Sequence, residues 1–306
     1  MSKKTNKTKV IVTGGAGFIG SNLAKALVKK GLDVHVVDNL SGGKKQNVPK
    51  GATFHLADIN NLEALKTIFE GAKYVFHLAA LPRVQFSIEN PVETALANEV
   101  GTVSVLTASV NAGVKRVIYS ASSSAYGDQK VMPLREDFIA NPKSPYGLQK
   151  YVGELYCKIW KQIFGLETVC LRYFNVYGPG QSSEGAYALV IGKFIKQKQM
   201  GQELTITGEG KQTRDFTSVH DVVRANILAM ESTKVGSGET INIGCGDNKS
   251  IIEVAKLIGG KIVHIPPRFE PKDTLADNKL AKKLLGWSPK VSLKEGVREL
   301  KKIYKF

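Results

Sequence analysis

The sequence predicts an α/β fold built on a doubly wound parallel sheet, with a smaller lobe after it. Two observations carry this. Short β-branched runs alternate with longer helical patterns up to about residue 171, and beyond that point the chain turns irregular, with Gly and Pro punctuation at 178–181, 208–211 and 265–271. A chain of 306 residues with 42% hydrophobic content is long enough to bury a core and form two unequal lobes.

Taken in order, the predicted strands are KVIVT (9–13), VHVV (34–37), TFHL (53–56), YVFHL (74–78), RVIYS (116–120) and ETVCLR (167–172). A helical stretch opens at Phe18, a long helix is expected between Pro91 and Ala112, and another runs from Pro145 to Phe164, where Ser144 is a natural N-cap and proline suits the first helical position. The helices at 91–112 and 145–164 are apolar on more than one face, as at Leu148, Val152, Leu155, Ile159 and Trp160. A helix of that kind needs two burial partners, so the sheet and a second subunit are expected to cover it, giving a homodimer.

Composition narrows the functional classes. The formal charge of +16 reads as a solvated lysine-rich surface, because the basic residues are not interleaved with aromatics as nucleic-acid binding requires. The opening MSKKTNKTK lacks the apolar core of a signal peptide, and no stretch reaches the roughly 18 apolar residues of a membrane span. A cytoplasmic location is expected. Cys157, Cys170 and Cys245 form no Cys-x-x-Cys pair, so neither a disulfide framework nor a metal site is indicated.

Directly after the first strand, Gly14, Gly17 and Gly20 open a helix. Gly14 permits the turn, Gly17 lets the backbone approach a pyrophosphate, and Gly20 lets helix and strand pack closely. The free N–H groups at the helix start then face the anion. Asp38 ends the second strand 18 residues beyond Gly20, suited to the hydroxyls of an adenosine ribose and hostile to a 2′-phosphate. These features indicate a Rossmann-type sheet that binds NAD in preference to NADP, although Lys44 and Lys45 follow closely enough to fold back toward a phosphate.

Two Tyr-x-x-x-Lys strings occur, at Tyr126–Lys130 and Tyr146–Lys150. The first runs into the turn-rich GDQKVMP, whereas the second sits on the predicted helix and puts both side chains on one face. A phenol used as a base near neutral pH needs its phenolate stabilised, and a neighbouring ammonium supplies the opposite charge. Ser122, just past the fifth strand, stands at the sheet edge where ligands of such folds bind.

The strings TGGAGFIG (13–20), VVDNLSGG (36–43), HLAAL (77–81), SASSSAYG (120–127), SPYGLQK (144–150), LRYFNVYGPGQ (171–181), TRDFTSVHDV (213–222) and LADNKLAKKLLGW (275–287) resemble the extended short-chain dehydrogenases of the nucleotide-sugar epimerase and dehydratase family. The likeness is greatest to the UDP-glucose and UDP-N-acetylglucosamine 4-epimerases, and it spans nearly the whole chain. The resemblance implies transient oxidation at sugar C4 and return of hydride to the opposite face, with Tyr146 as base, Lys150 as its electrostatic partner and Ser122 on the sugar oxygen. It also implies cofactor contacts at Phe18, Ile19, Asn39, Asp58, Ile59, Leu78, Ala79, Ala80, Asn98 and Tyr173. Asn175 and Arg214 are then expected at the substrate diphosphate, with an ion pair to Asp215 as the alternative for Arg214.

Family dehydratases and decarboxylases usually carry an acid after the serine. Ser123 and Ser124 stand there in this chain, which favours epimerisation. Near the C-terminus the family's Arg-x-Gly-Asp is replaced by PRFEPKD, with Arg268 displaced and Glu270 at the aspartate position. Thr274 looks like the gate beside the sugar 2-substituent and leaves room for an N-acetyl group. Residues 1–174 are assigned to the NAD-binding domain, with about 212–245 returning to it, and 175–306 mainly to the substrate lobe. The competing readings are 4,6-dehydration, keto-sugar reduction, or a non-catalytic NAD sensor or RNA-binding protein.

Overall fold

A computed structural model describes residues 7–181, 189–266 and 273–306. The first part contains β1 (Lys9–Thr13), α1 (Phe18–Lys29), β2 (Asp33–Asp38), β3 (Ala52–Leu56), α2 (Leu62–Phe69) and β4 (Tyr74–His77). Next come α3 (Val84–Glu89), α4 (Pro91–Ala95), a π turn (Leu96–Val100), α5 (Gly101–Asn111), β5 (Arg116–Ser122), α6 (Pro145–Phe164) and β6 (Glu167–Tyr173). Then follow β7 (Val176–Tyr177), α7 (Val190–Gln199), β8 (Leu204–Thr207), β9 (Thr213–Asp215), β10 (Thr217–Ser218), α8 (Val219–Glu231) and β11 (Ser237–Ile243). The chain closes with β12 (Asn248–Ser250), α9 (Ile251–Ile258), β13 (Ile262–Ile265), α10 (Lys279–Leu285) and α11 (Leu293–Tyr304).

Seven parallel strands form the main sheet in the order β11-β6-β5-β4-β1-β2-β3. Strand side chains alternate between faces, and the core divides accordingly: Val10 and Val12 pack in one hydrophobic cluster and Ile11 in another. The chain leaves β1 toward β2 on one side and reaches β4 on the other, so the crevice between β1 and β4 is the topological switch point where such sheets bind ligands. A separate cluster after residue 175 joins Phe194, Ile206, Val254 and Val297. Among the described residues no helix is long and apolar enough to cross a membrane.

The long helix expected at 91–112 is continuous from Pro91 to Asn111 and contains the π turn. The cause is local. Thr102 Oγ1 donates to the Asn98 carbonyl at 2.6 Å, competing with the helical ladder. The widened turn holds Asn98 inward, with the buried side chain working across elements.

Candidate active site

At the end of β1, Gly14 turns the chain with φ +68°, and a side chain there would strike the Leu78–Ala79 backbone. A Cβ on Gly20 would overlap the Gly14 carbonyl. At Gly17 the nearest atom to a Cβ is the Gly14 oxygen at 3.2 Å, so the outer side of this residue is open. No side chain caps α1, which leaves the N–H groups at Phe18 and Ile19 available to an anion. Asp38 braces the turn, its Oδ2 accepting from the Ala16 N–H at 3.0 Å and its Oδ1 from the Leu40 N–H at 2.8 Å. A bare helix start, an open glycine and a carboxylate beside them fit a dinucleotide. Of the two lysines weighed against NAD, Lys45 lies over the Phe54 ring, 5.7 Å from its centroid.

Neighbouring elements place the other expected contacts. Asn39 donates to Asp58 Oδ2 at 2.8 Å, joining the ends of β2 and β3. Leu78, Ala79 and Ala80 line the exit of β4, half-buried. Ile59 packs into the core, where it would meet any side chain added at Gly101. The Asn98 amide is spent within the protein: it accepts from the Leu81 N–H at 2.7 Å and donates to the Leu81 carbonyl at 3.1 Å and to Gln149 Oε1 at 2.8 Å. It thereby clamps the loop after β4 onto α6. The Tyr173 hydroxyl meets Ser120 Oγ at 3.1 Å and Asn226 in the core behind the site.

Helix α6 begins as the sequence requires. Ser144 Oγ accepts from the Gly147 N–H at 3.1 Å and Pro145 occupies the first turn. Gly147 allows the close approach that follows, since a Cβ there would lie 2.7 Å from the Ser124 carbonyl. Tyr146 is thereby set beside the turn that carries Ser122. Ser122 Oγ accepts from the Ser124 N–H at 3.2 Å and shares a 3.1 Å bond with Ser124 Oγ, while Ser123 is half-buried next to it.

Burial pushes the Tyr146 phenol above its ordinary value, with Ser122 and the Arg83 charge pulling it back. Lys150 is buried, and its Nζ donates to the Ser120 carbonyl at 2.8 Å and lies over Tyr119, 5.0 Å from the ring centroid. Burial brings this ammonium down to about 8, against the pull of Cys157 and Glu154. His77 bridges Thr13 Oγ1 at 2.8 Å and Thr102 Oγ1 at 3.0 Å, and burial, helped by the Lys150 charge, keeps it neutral with a value of about 3. In the other Tyr-x-x-x-Lys string the two residues part company: Tyr126 is buried and donates to Asn242 Oδ1 at 2.7 Å, whereas Lys130 is exposed.

On the substrate side, the Asn175 amide donates to the Asp215 carbonyl at 3.1 Å and to Thr274 Oγ1 at 3.2 Å. Thr274 Oγ1 also accepts from the Asp215 N–H at 3.3 Å. Arg214 is buried, with Nη1 on the Thr213 carbonyl at 2.9 Å. The alternative pair with Asp215 does not form. Adjacent strand residues face opposite ways, and the Asp215 carboxylate accepts the N–H groups of Cys245 (2.6 Å), Gly246 (2.9 Å) and Ala276 (3.0 Å). Burial raises Asp215 to about 6 despite those bonds. Arg268 and Glu270 lie outside the described residues.

The model of the NAD dependent epimerase/dehydratase family matches residues 10–244. The chain belongs to that family. It is similar to a putative UDP-glucose 4-epimerase of Methanocaldococcus jannaschii, 38% identical over 95% of this chain and 96% of the relative. Among solved structures, UDP-glucose 4-epimerase from Thermotoga maritima, crystallised with UDP-glucose, is 40% identical with a TM-score of 0.93, over 97% of this chain and 99% of that one. A UDP-N-acetylglucosamine 4-epimerase from Methanobrevibacter ruminantium, in complex with UDP-N-acetylmuramic acid, is 35% identical with a TM-score of 0.91, over 98% and 99%.

As a member of the epimerase/dehydratase family the protein is an NAD-dependent enzyme, and its glycine turn and Asp38 lie together at the C-terminal end of the first strand. Two supporting residues, Arg83 and Ser87, lie outside every string quoted above, and His77, Gln149 and Asp215 lie within such strings without a site role having been read from them. Ser87 Oγ accepts from the Tyr146 N–H at 3.0 Å, a contact across 59 residues that no local spacing signals.

Proposed function

We propose that the protein is a 4-epimerase of UDP-hexoses, acting on UDP-GlcNAc and UDP-GalNAc, with UDP-Glc and UDP-Gal as a second pair. The observation that carries this reading is the grouping of Ser122, Tyr146 and Lys150 at the sheet edge beside the switch point. When bound, NAD supplies the acceptor and donor of hydride. Tyr146 takes the proton of the sugar 4-hydroxyl and returns it after the sugar has turned over. Ser122 holds that oxygen, and Lys150 fixes the charge beneath it while reaching the cofactor ribose. Arg214 and Asn175 receive the diphosphate, a role suited to a guanidinium because its planar fork matches two oxygens.

The absence of an acid at Ser123 and Ser124 supports epimerisation over dehydration or decarboxylation. Small Thr274 supports acceptance of an N-acetyl group, as does the kinship with an N-acetylglucosamine epimerase. Turnover of both sugar pairs, compared with Tyr146→Phe, tests the reading. Interconversion that is abolished in the variant while NAD stays bound is expected. Accumulated keto sugar, net consumption of external nicotinamide, or exclusive use of the non-acetylated pair overturns it.

The same reading includes a homodimer. Val92, Leu96 and Val100 recur every fourth residue at 48–72% exposure, and Leu148, Leu155, Ile159 and Ile163 are exposed along α6. A second copy covering these stripes gives a four-helix contact.

A further inference from the structure

Arg83, in the loop between β4 and α3, holds φ at +128°. That angle lies outside the left-handed basin that Asn or Leu occasionally enters, and a bulky residue there is strained by about 1–3 kcal/mol. Glycine would remove the strain, so an arginine retained in this conformation implies work for its side chain. The loop has no freedom to relax. Asn98 clamps Leu81 on one side, and on the other the Ser87 N–H donates to the Arg83 carbonyl at 3.0 Å while Ser87 Oγ receives the Tyr146 N–H at 3.0 Å. The guanidinium is half-buried and meets no carboxylate among the described residues; Ser87 ties the Arg83 carbonyl to the Tyr146 backbone, and the Arg83 charge acts on the Tyr146 phenol.

We propose that Arg83 is a second cation for the Tyr146 phenolate, held against it by the strained loop. The assignment rests on Tyr146 being the base. Other ionisable groups on the elements packed here are committed elsewhere. The Lys150 ammonium goes to the Ser120 carbonyl, Glu154 binds Arg172 at 2.6 Å, and Glu89 accepts from Gln85 at 2.9 Å. His77 is neutral, the buried phenol of Tyr119 is pushed well above its ordinary value, and half-buried Glu99 of the π turn is raised by burial. Lys150 loses its proton near 8, whereas a guanidinium stays charged throughout. Arg83 thus supplies positive charge beside the phenol at the pH values where the lysine fades.

The test uses full-length, NAD-loaded protein as wild type, Arg83→Gly, Arg83→Lys and Tyr146→Phe. Two readouts are followed: the pH profile of kcat/KM, and the ultraviolet tyrosinate titration taken as a difference from Tyr146→Phe. Arg83→Gly is expected to melt no lower than wild type, because glycine accepts the backbone angle. Its acidic limb and its tyrosinate signal should both move to higher pH, with kcat/KM about tenfold lower on that limb, and Arg83→Lys should recover most of the loss. An unchanged limb and titration in Arg83→Gly, or a rise in KM alone, overturns the assignment while leaving Tyr146 as base. Activity surviving in Tyr146→Phe removes the base itself.

Discussion

Replacing Lys150 by methionine should make the protein more stable at neutral pH while ending its chemistry. The ammonium is only 4% exposed, and its value falls from 10.5 in the unfolded chain to about 8 in the folded one. The folded state therefore disfavours the charged form. Below about pH 8 both states hold the proton and the fold bears the full cost of a buried cation. A gap of about 2.5 units corresponds to about 3 kcal/mol. As pH rises from about 8 toward 10.5 the cost fades, since the folded lysine is already neutral.

Methionine fills similar volume without charge, but it forfeits the bond to the Ser120 carbonyl, which offsets about 1–2 kcal/mol. The net gain near pH 7 is then about 1–2 kcal/mol. That offset is the same at every pH, so the clean quantity is the change in the variant's advantage, about 2.5 kcal/mol lost between roughly pH 7 and pH 10. Urea denaturation at the two pH values reads it. A variant whose stability difference from wild type is independent of pH refutes the reasoning, whatever its sign.

Gly20→Ala places a methyl group on the Gly14 carbonyl and should cost about 1–3 kcal/mol, with NAD affinity reduced at least about tenfold by calorimetric titration. Thr274→Tyr should lower kcat/KM for the acetylated sugars about tenfold relative to the plain hexoses; Thr274→Val, which removes the hydroxyl bonded to Asn175 and to the Asp215 N–H without adding bulk, should not change that ratio. Wild type should sediment as a dimer at micromolar concentration and Leu96→Lys as a monomer, because a lysine midway along the exposed stripe meets its own copy across a two-fold contact.

The parts of the fold carried by periodicity were readable directly. β1 spans the residues its β-branched run marks, and α6 starts at its capping serine and proline and ends at Phe164, before Gly165 at φ +73°. The placement of the glycine turn, Ser122, Tyr146 and Lys150 was equally legible, since each lies within a few residues of a strand end or helix start. What stayed hidden depends on contacts between distant segments. The π turn exists because Thr102 and the Asn98 clamp prevail over helical spacing, and the sequence shows only an unbroken helix. Asp215 reads as a partner for Arg214 but is drawn away by three backbone donors on loops that follow it by 30 residues or more. Arg83 has no pattern at all, because a backbone angle of +128° is not written in residue spacing.

The main sheet is also a statement about the order of assembly. Its last strand, β11, is supplied by residues 237–243, long after β6 has been made at 167–173. A nascent chain that has emerged only as far as α8 must present the far side of β6 as a row of unpaired amides and carbonyls, flanked by apolar side chains. Such an edge is open to pairing with another unfinished copy. The edge passes from β6 to β11 only when residues 237–243 dock, so chains interrupted before residue 237 should be the aggregation-prone products of synthesis.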